Sequence, residues 1–249
     1  MARFRWLFVG LLLAACLLGH PAHAGEDVDL ALVLVTDVSR SIHDGEFKLE
    51  KDGYAAALTN PQVIAAIRRG PLGVIAISYV EFASSFEVKT IIDWTVIRDE
   101  AAARAFVAKM VEAPRSAWGR TAISAGIDHA VTMLAESSLN ATRRVIDVCG
   151  DGTNNNGREI TAARDDAVAA GIVINGLAII NENPVSWTFA HVQPPGGLQK
   201  YYRENVTGGT GSFVLEVRDF QTFGEAMIRK LVAEIAAVAP DTRLAQDTR

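Results

Sequence analysis

Short aliphatic runs alternate along this chain with longer segments of helical periodicity. The run over residues 30–35 is almost purely aliphatic, which is typical of a strand buried on both faces of a sheet. Strands that alternate with helices in this way form βαβ units, in which each helix returns the chain to the same edge of a parallel sheet. The pattern therefore predicts an α/β fold with a doubly wound, mainly parallel sheet.

The bounds of these runs predict the individual elements. Six strands are predicted, at residues 30–35, 74–82, 88–94, 145–149, 172–180 and 213–217. Helices are predicted at residues 46–58, 100–111, 122–134, 161–170 and 220–235, with a short helical turn at 63–67. Only a few residues separate the second strand from the third, so these two should form a hairpin that leaves one edge strand antiparallel. Residues 181–199 are rich in proline and glycine, which predicts a surface excursion.

The first 24 residues have the pattern of a secretory signal peptide. Two arginines precede an apolar run over residues 6–18, and alanines at 22 and 24 provide a cleavage site before Gly25. The run is shorter than the roughly 20 residues of a membrane-spanning helix, and no later segment approaches that length without a charge. We therefore expect an exported protein, periplasmic or secreted, with no membrane span. Cleavage before Cys16, as in a lipoprotein, is the alternative and would tether the protein to a membrane.

The rest of the sequence predicts one domain, residues 25–239, followed by a flexible tail at 240–249. We find no internal repeat and no linker between two cores, and an α/β domain of this length is within the usual range. Of the 249 residues, 49% are hydrophobic and 21% are charged, which is typical of a folded protein. The 29 acidic residues outnumber the 24 basic ones, which argues against a nucleic-acid-binding protein.

Two residues of the 145–149 strand need an explanation. Cys149 is the only cysteine left after cleavage before Gly25, so no internal disulfide is expected, and its apolar surroundings predict a small buried side chain. Asp147 lies in the same strand, where an unpaired carboxylate would cost several kcal/mol. We therefore expect a structural partner for Asp147.

Oxygen-bearing side chains follow two of the predicted strands, at the edge where open α/β sheets bind ligands. Asp37, Ser39 and Ser41 follow the first strand at alternate positions, so their oxygens can point into one space. Asp151 follows the 145–149 strand between two glycines, and Thr121 begins a helix, where its hydroxyl could cap the backbone or point at an ion. Hard oxygen ligands of this kind predict a site for Mg²⁺, Mn²⁺ or Ca²⁺.

This order of residues resembles the metal-ion-dependent adhesion site (MIDAS) of the von Willebrand factor A-domain proteins, which are integrin I-domain-like. In that family a DxSxS loop, a threonine in a second loop and an aspartate in a third loop build the site. The matching residues here are Asp37, Ser39, Ser41, Thr121 and Asp151. Residues 52–58, 144–148 and 150–157 more narrowly resemble an exported bacterial branch of unknown function. The family more often has glycine where Arg120 stands.

The resemblance implies a strand order of 3-2-1-4-5-6, which would bring Asp37 and Asp151 together. Two carboxylates would balance a divalent ion, most simply Mg²⁺, while neutral hydroxyls complete the coordination and leave one position open. In the family this position captures an Asp or Glu carboxylate of a protein partner. The implied activity is therefore metal-dependent protein binding of the adhesion type, and not catalysis.

Two other functions stay open at this point. A metal-dependent hydrolase of the cell envelope is one, because His43 stands near Ser41 and could act as its base. However, the sequence contains no HExxH, GxSxG or P-loop pattern, and Asp27-Val28-Asp29, which resembles a phosphatase motif, is expected to precede the first strand. A metal-free scaffold protein is the other. Loop residues that should surround the site and could select its ligand are Arg40, Arg115, Trp118, Arg120 and residues 154–156.

Overall fold

The fold is an α/β sandwich, and the computed structural model describes residues 25–180, 193–220 and 222–237. The strands are β1 (Glu26–Asp37), β2 (Ile75–Phe82), β3 (Val88–Ile97), β4 (Leu139–Gly150), β5 (Val173–Ile179) and β6 (Val214–Val217). They form one sheet in the order β3-β2-β1-β4-β5-β6, and β3 is its antiparallel edge strand. The predicted fold class and strand order are confirmed. The predicted signal peptide, the tail and most of the 181–199 excursion lie outside the described residues.

Helices cover both faces of the sheet. They are α1 (Asp44–Leu58), α2 (Pro61–Arg68), α3 (Glu100–Glu112), α4 (Ile123–Glu136), α5 (Ile160–Ala169), α6 (Leu198–Tyr201) and α7 (Phe223–Ala236), and a π-helical turn, Tyr202–Val206, follows α6. One core lies between the sheet and α1, α2, α3 and α7, and a second lies between the sheet and α4, α5 and α6. No helix in the described ranges has both the length and the apolar composition needed to span a membrane.

Burial on both faces of the sheet explains why the middle of β1 is continuously aliphatic. Leu30, Leu32 and Leu34 belong to the first core, whereas Val33 and Val35 belong to the second. Successive side chains of a strand point to opposite faces, so a central strand buried on both faces has no position that faces solvent. The aliphatic run therefore marks the centre of the sheet.

Two strands begin earlier than predicted. β4 begins at Leu139, and its polar first half pairs with the beginning of β1, where Glu26 lies opposite Leu139. The helices do not cover this end of the sheet completely, so side chains there alternate between partly buried and exposed and lack an aliphatic pattern. Asp29 consequently lies within β1 and not before it, and its carboxylate accepts hydrogen bonds from the amides of Leu72 and Val74. It holds the turn that precedes β2.

The two unusual residues of β4 are both buried. Asp147 forms an ion pair with Lys230 of α7 at 2.6 Å, and Lys230 also contacts Glu234. This is the structural partner that the cost of burying the carboxylate predicts. Cys149 is buried and free of disulfides as expected, but its thiol also donates a hydrogen bond to Glu50 of α1 at 3.2 Å.

Lys230→Met should lower the free energy of unfolding by about 3–5 kcal/mol, because the buried carboxylates of Asp147 and Glu234 lose their shared cation. Urea unfolding followed by circular dichroism measures the change. The control is Lys200→Met, which removes an exposed pair with Glu204 and should cost less than about 1 kcal/mol. Equal losses in the two variants would contradict a structural role for the buried pair.

Candidate metal centre

Three loops meet at the carboxyl edge of the sheet. The first loop, residues 38–43, joins β1 to α1; the second, residues 113–122, joins α3 to α4; and the third, residues 151–159, joins β4 to α5. Because β1 and β4 are parallel neighbours, their carboxyl ends place the first and third loops side by side. All five residues of the predicted metal site lie on these loops or at the end of β1.

Hydrogen bonds connect the hydroxyls of the predicted site. Ser39 Oγ lies 3.1 Å from Ser41 Oγ and accepts a hydrogen bond from Thr121 Oγ1 at 3.2 Å. Ser41 Oγ donates to Asp151 Oδ1 at 2.8 Å, which links the first loop to the third. Asp37 Oδ1 accepts from the amide of Ser39 at 2.7 Å. The structure therefore brings together all five side chains that the sequence singles out.

Thr121 does not cap the helix that follows it. The residue that caps α4 is Ala122, which offers no side-chain acceptor, and the amide of Ser124 is bonded instead by Asn154 Oδ1 at 3.0 Å. The hydroxyl of Thr121 donates to Ser39 Oγ. Of the two roles open to Thr121 in the sequence, capping is excluded.

The carboxylate of Asp37 is electrostatically unfavourable in the protein alone. Asp37 is fully buried, and its Oδ2 has no hydrogen-bond partner among the described residues. The pKa of Asp37 is raised to about 8, first by burial and then by the nearby charge of Asp151, although the hydrogen bonds from Ser39 and the charge of Arg115 oppose both effects. A cation beside the two carboxylates would remove this penalty.

The donor set fits a hard divalent cation. Two carboxylates and three hydroxyls supply only oxygen, and the unpaired Oδ2 of Asp37 is a buried acceptor for which an ion would be a partner. The described part of the chain has no cluster of three or more His, Cys, Asp or Glu side chains suited to a metal, at this edge of the sheet or elsewhere. The hydroxyl oxygens of the candidate site are therefore as important for holding an ion as its two carboxylates.

Gly150 permits β4 to approach Asp37 closely. A Cβ atom built on Gly150 would lie 2.9 Å from Asp37 Cβ, 2.9 Å from the Tyr202 hydroxyl and 3.1 Å from Asp37 Oδ2. Real Cβ atoms essentially never lie within 3.0 Å of such neighbouring atoms. The third loop can therefore approach the first only because residue 150 is glycine.

His43 has a structural role that the sequence does not reveal. It is the N-cap of α1, where its Nδ1 accepts hydrogen bonds from the amides of Gly45 and Glu46, and Glu46 Oε2 accepts one from the His43 amide. This reciprocal arrangement is a capping box. Because Nδ1 is already bonded to the helix, His43 is poorly placed to act as a base for Ser41.

The asparagine run at residues 154–156 holds the loops together. Asn155 Oδ1 accepts a hydrogen bond from the backbone amide of Thr121 at 3.0 Å, and the backbone N–H of Asn155 donates to the Thr121 carbonyl at 2.8 Å. Asn156 Oδ1 accepts from the amide of Ser85, in the turn between β2 and β3, at 2.7 Å. Consecutive asparagines after a turn are a known signal for such side-chain to backbone bonds, and that signal could have predicted this role.

The other loop residues expected around the site differ in exposure. Arg40 and Arg120 are exposed, and Trp118 is 52% exposed. The side chain of Arg115, in contrast, is only 5% exposed and donates to backbone carbonyls of the first loop. The expectation that Arg115 faces an incoming ligand is therefore wrong.

Comparisons with known proteins identify a family and several similar folds. A family model described as protein of unknown function (DUF1194) matches residues 27–239. No curated protein sequence matches the chain significantly. Among solved structures, proximal thread matrix protein 1 (PTMP1) from the mussel byssus, in a form with a zinc occupied MIDAS motif, is 18% identical with a TM-score of 0.61. That match covers 85% of this chain and 49% of PTMP1.

Two further structures are similar. The pilus adhesin SpaC from Lactobacillus rhamnosus GG is 12% identical with a TM-score of 0.56, over 84% of this chain and 31% of SpaC. A von Willebrand factor type A protein from Catenulispora acidiphila is 15% identical with a TM-score of 0.50, over 84% of this chain and 43% of that protein. The chain spans about half the length, or less, of these proteins. At these identities the matches show the fold alone, which is von Willebrand factor A-like.

Gly150→Ala should lower the free energy of unfolding by about 1–3 kcal/mol, because the added methyl group collides with Asp37 and Tyr202. Urea denaturation measures the loss. Gly224→Ala is the matched control, since a Cβ there would meet its nearest neighbour at an ordinary 3.4 Å and should change stability by no more than about 0.5 kcal/mol. If the two alanine variants are equally stable, the close approach at Gly150 does not limit the packing of this edge.

Proposed function

We propose that this protein captures a protein partner in a metal-dependent manner. The chain belongs to the DUF1194 family of proteins of unknown function, and its fold is von Willebrand factor A-like. In this proposal Asp37, Ser39, Ser41, Thr121 and Asp151 hold a divalent cation, Mg²⁺ first, with Mn²⁺ and Ca²⁺ as alternatives. The ion supplies a positive centre that can accept a carboxylate oxygen from an Asp or Glu of the partner. The protein acts outside the cytoplasm, in keeping with its amino-terminal sequence pattern.

One observation supports the proposal above all others. The buried Asp37 has an oxygen with no hydrogen-bond partner among the described residues, and it lies beside a second carboxylate and three linked hydroxyls. A purely structural cluster would satisfy that oxygen with a donor, because a buried unpaired acceptor is costly. A cation satisfies it without a donor.

The similar proteins support binding as the activity. PTMP1 is a thread matrix protein with a zinc occupied MIDAS motif in one structure, and SpaC is a pilus adhesin. Both names describe proteins of structural or adhesive assemblies. We extend this class of role to the present chain as part of the proposal.

A metal-dependent hydrolase is the second candidate. The hydrogen bond from Ser41 to Asp151 favours it, since a hydroxyl next to a carboxylate can act as a nucleophile. Against it, the imidazole Nδ1 of His43 is bonded to α1. The experiments below separate the two candidates.

Asp37→Asn should reduce Mg²⁺ and Mn²⁺ affinity by about 100-fold or more, because the ion loses a charged ligand. Removing a group that only hydrogen-bonds to a metal ligand already lowers metal affinity about 10–100-fold. The fold should persist, since the amide oxygen can still accept from the Ser39 amide. Calorimetric titration measures affinity and circular dichroism checks the fold.

Asp52→Asn is the control for this substitution, because it removes an exposed acid that pairs with Lys48 on the surface of α1. It should leave ion affinity unchanged. Equal ion affinity in the wild-type protein and the Asp37→Asn variant would remove the basis of the proposed site.

The Mn²⁺-loaded protein should bind N-acetylglutamate amide but not N-acetylglutamine amide, since only the carboxylate carries the charge that a cation attracts. The relaxation of water protons by the bound Mn²⁺ measures capture, because a carboxylate at the open position displaces water from the ion. A chelator should abolish the effect.

Equal effects of the acid and the amide would exclude carboxylate capture. Chelator-sensitive cleavage of a chromogenic ester or phosphate by the wild-type protein, lost in the Asp37→Asn variant, would favour the hydrolase.

A further inference from the structure

Arg115 lies beneath the first loop and holds its backbone. Its Nη2 donates to the carbonyl oxygens of Val38 and Ser39, each at 2.6 Å, and its Nη1 donates to the carbonyl of Ile42 at 2.7 Å. Its Nε contacts the carbonyls of Val38 at 3.2 Å and Ala117 at 3.0 Å. A single guanidinium thus binds three carbonyls of the first loop and one of the second.

These bonds divide the first loop into two sides. The carbonyls of Val38, Ser39 and Ile42 point to the guanidinium, while the hydroxyls of Ser39 and Ser41 bond to other loops at the candidate metal centre. Without the guanidinium, the carbonyls of Val38 and Ile42 would lose this donor, and the Ser39 carbonyl would keep only the Ile42 amide at 3.1 Å, so the backbone of the loop would be held less firmly. The orientation of the proposed ligands Ser39 and Ser41 therefore depends on the bonds that Arg115 makes to the carbonyls of the first loop.

The guanidinium is itself held firmly. Its central carbon lies 3.7 Å from the ring centroid of Trp118 and 5.6 Å from that of Phe47 on α1, both of which are cation–π contacts. The ion pair with Asp44 at 3.7 Å adds little, because that carboxylate is 81% exposed. A rigid group between the loops can fix a backbone more effectively than a mobile one.

Arg115 also joins two ligand-bearing loops. It belongs to the second loop, which carries Thr121, and binds the first loop, which carries Ser39 and Ser41. Two other hydrogen bonds connect these loops, from the Arg40 amide to the Gly119 carbonyl at 3.1 Å and from Thr121 Oγ1 to Ser39 Oγ at 3.2 Å. Arg115 is thus the side chain that binds the backbone of the first loop at several carbonyls from the second.

We propose that Arg115 is a positioning residue of the candidate metal centre: it fixes the first loop so that its ligands face the ion together, and it thereby sets ion affinity without touching the ion. This inference rests on the proposed metal binding. Lysine cannot take this role, because its compact ammonium lacks the planar fork of five donors needed to reach four carbonyls.

The experiment compares Mg²⁺ and Mn²⁺ affinity, by calorimetric titration, in the wild-type protein and in two variants. Arg115→Met and Arg115→Lys should each weaken binding about 10–100-fold, the range found when groups that orient metal ligands are removed. The control is Arg143→Met. Arg143 also donates to a backbone carbonyl, that of Ile235 at 3.0 Å, but it lies near the other end of β4. This control should lose thermal stability and keep its ion affinity within about twofold.

Chemical rescue separates positioning from a general loss of stability. In Arg115→Ala, millimolar methylguanidinium should restore part of the ion affinity by occupying the vacated space and bonding the same carbonyls. Tetramethylammonium at equal concentration offers no N–H donors and should restore none. A merely structural defect would not respond differently to these two cations.

The outcomes distinguish this inference from the proposed function. If the wild-type protein binds neither ion, the proposed function fails and the role of Arg115 fails with it. If the wild-type protein binds ions and a folded Arg115→Lys or Arg115→Met variant binds them equally well, only the role of Arg115 is overturned. Should Arg115→Met not fold, Arg115→Lys and the rescue of Arg115→Ala decide the question. Equal recovery with both cations would also overturn it.

Discussion

Parallel pairing of β1 with β4 holds two carboxylates together at one edge of the sheet. The register runs from Glu26 opposite Leu139 to Thr36 opposite Cys149, so Asp37 and Gly150 come next on adjacent strands. The pair lies where the strand order reverses, because β1 continues toward β2 and β4 toward β5. Loops diverge from such a point and leave a crevice between them. Here the central aliphatic strands provide the packing energy, and the repulsion between acids at their ends is tolerated.

Beneath this edge the core is unusually polar. Thr36 bonds to the Tyr54 hydroxyl at 3.0 Å, and Cys149 bonds to the buried Glu50, whose pKa burial raises well above its usual range. Glu81 lies beside Thr36 in the register, so a polar row crosses β2, β1 and β4 under α1. Burial therefore disfavours a negative charge on Glu50 below Asp37. The hydrogen bonds of Thr36 and Cys149 thus hold α1 against the sheet at Tyr54 and Glu50.

The sequence predicts the fold and the residues of the candidate site. It does not predict the side-chain hydrogen bonds that hold the loops of the site in place. Aliphatic runs identify the central strands because burial on both faces leaves a continuous pattern, and the spacing of Asp37, Ser39 and Ser41 follows from their place after a strand. The polar first half of β4 has no such pattern, and its extent was missed. The inward direction of Arg115 was missed as well, since bonds from a side chain to distant carbonyls depend on loop geometry, which leaves no periodic trace in the sequence.

The buried pair of Asp147 and Lys230 imposes an order on folding. Asp147 lies in the central part of the sheet, but the cation that compensates it belongs to α7, near the end of the described chain. As the chain emerges from amino to carboxyl terminus, β1 and β4 become available long before α7 does. Until α7 docks, the sheet carries a carboxylate that is paired only with water or neutralised by a proton. The first core is therefore complete only once α7 has packed against the sheet.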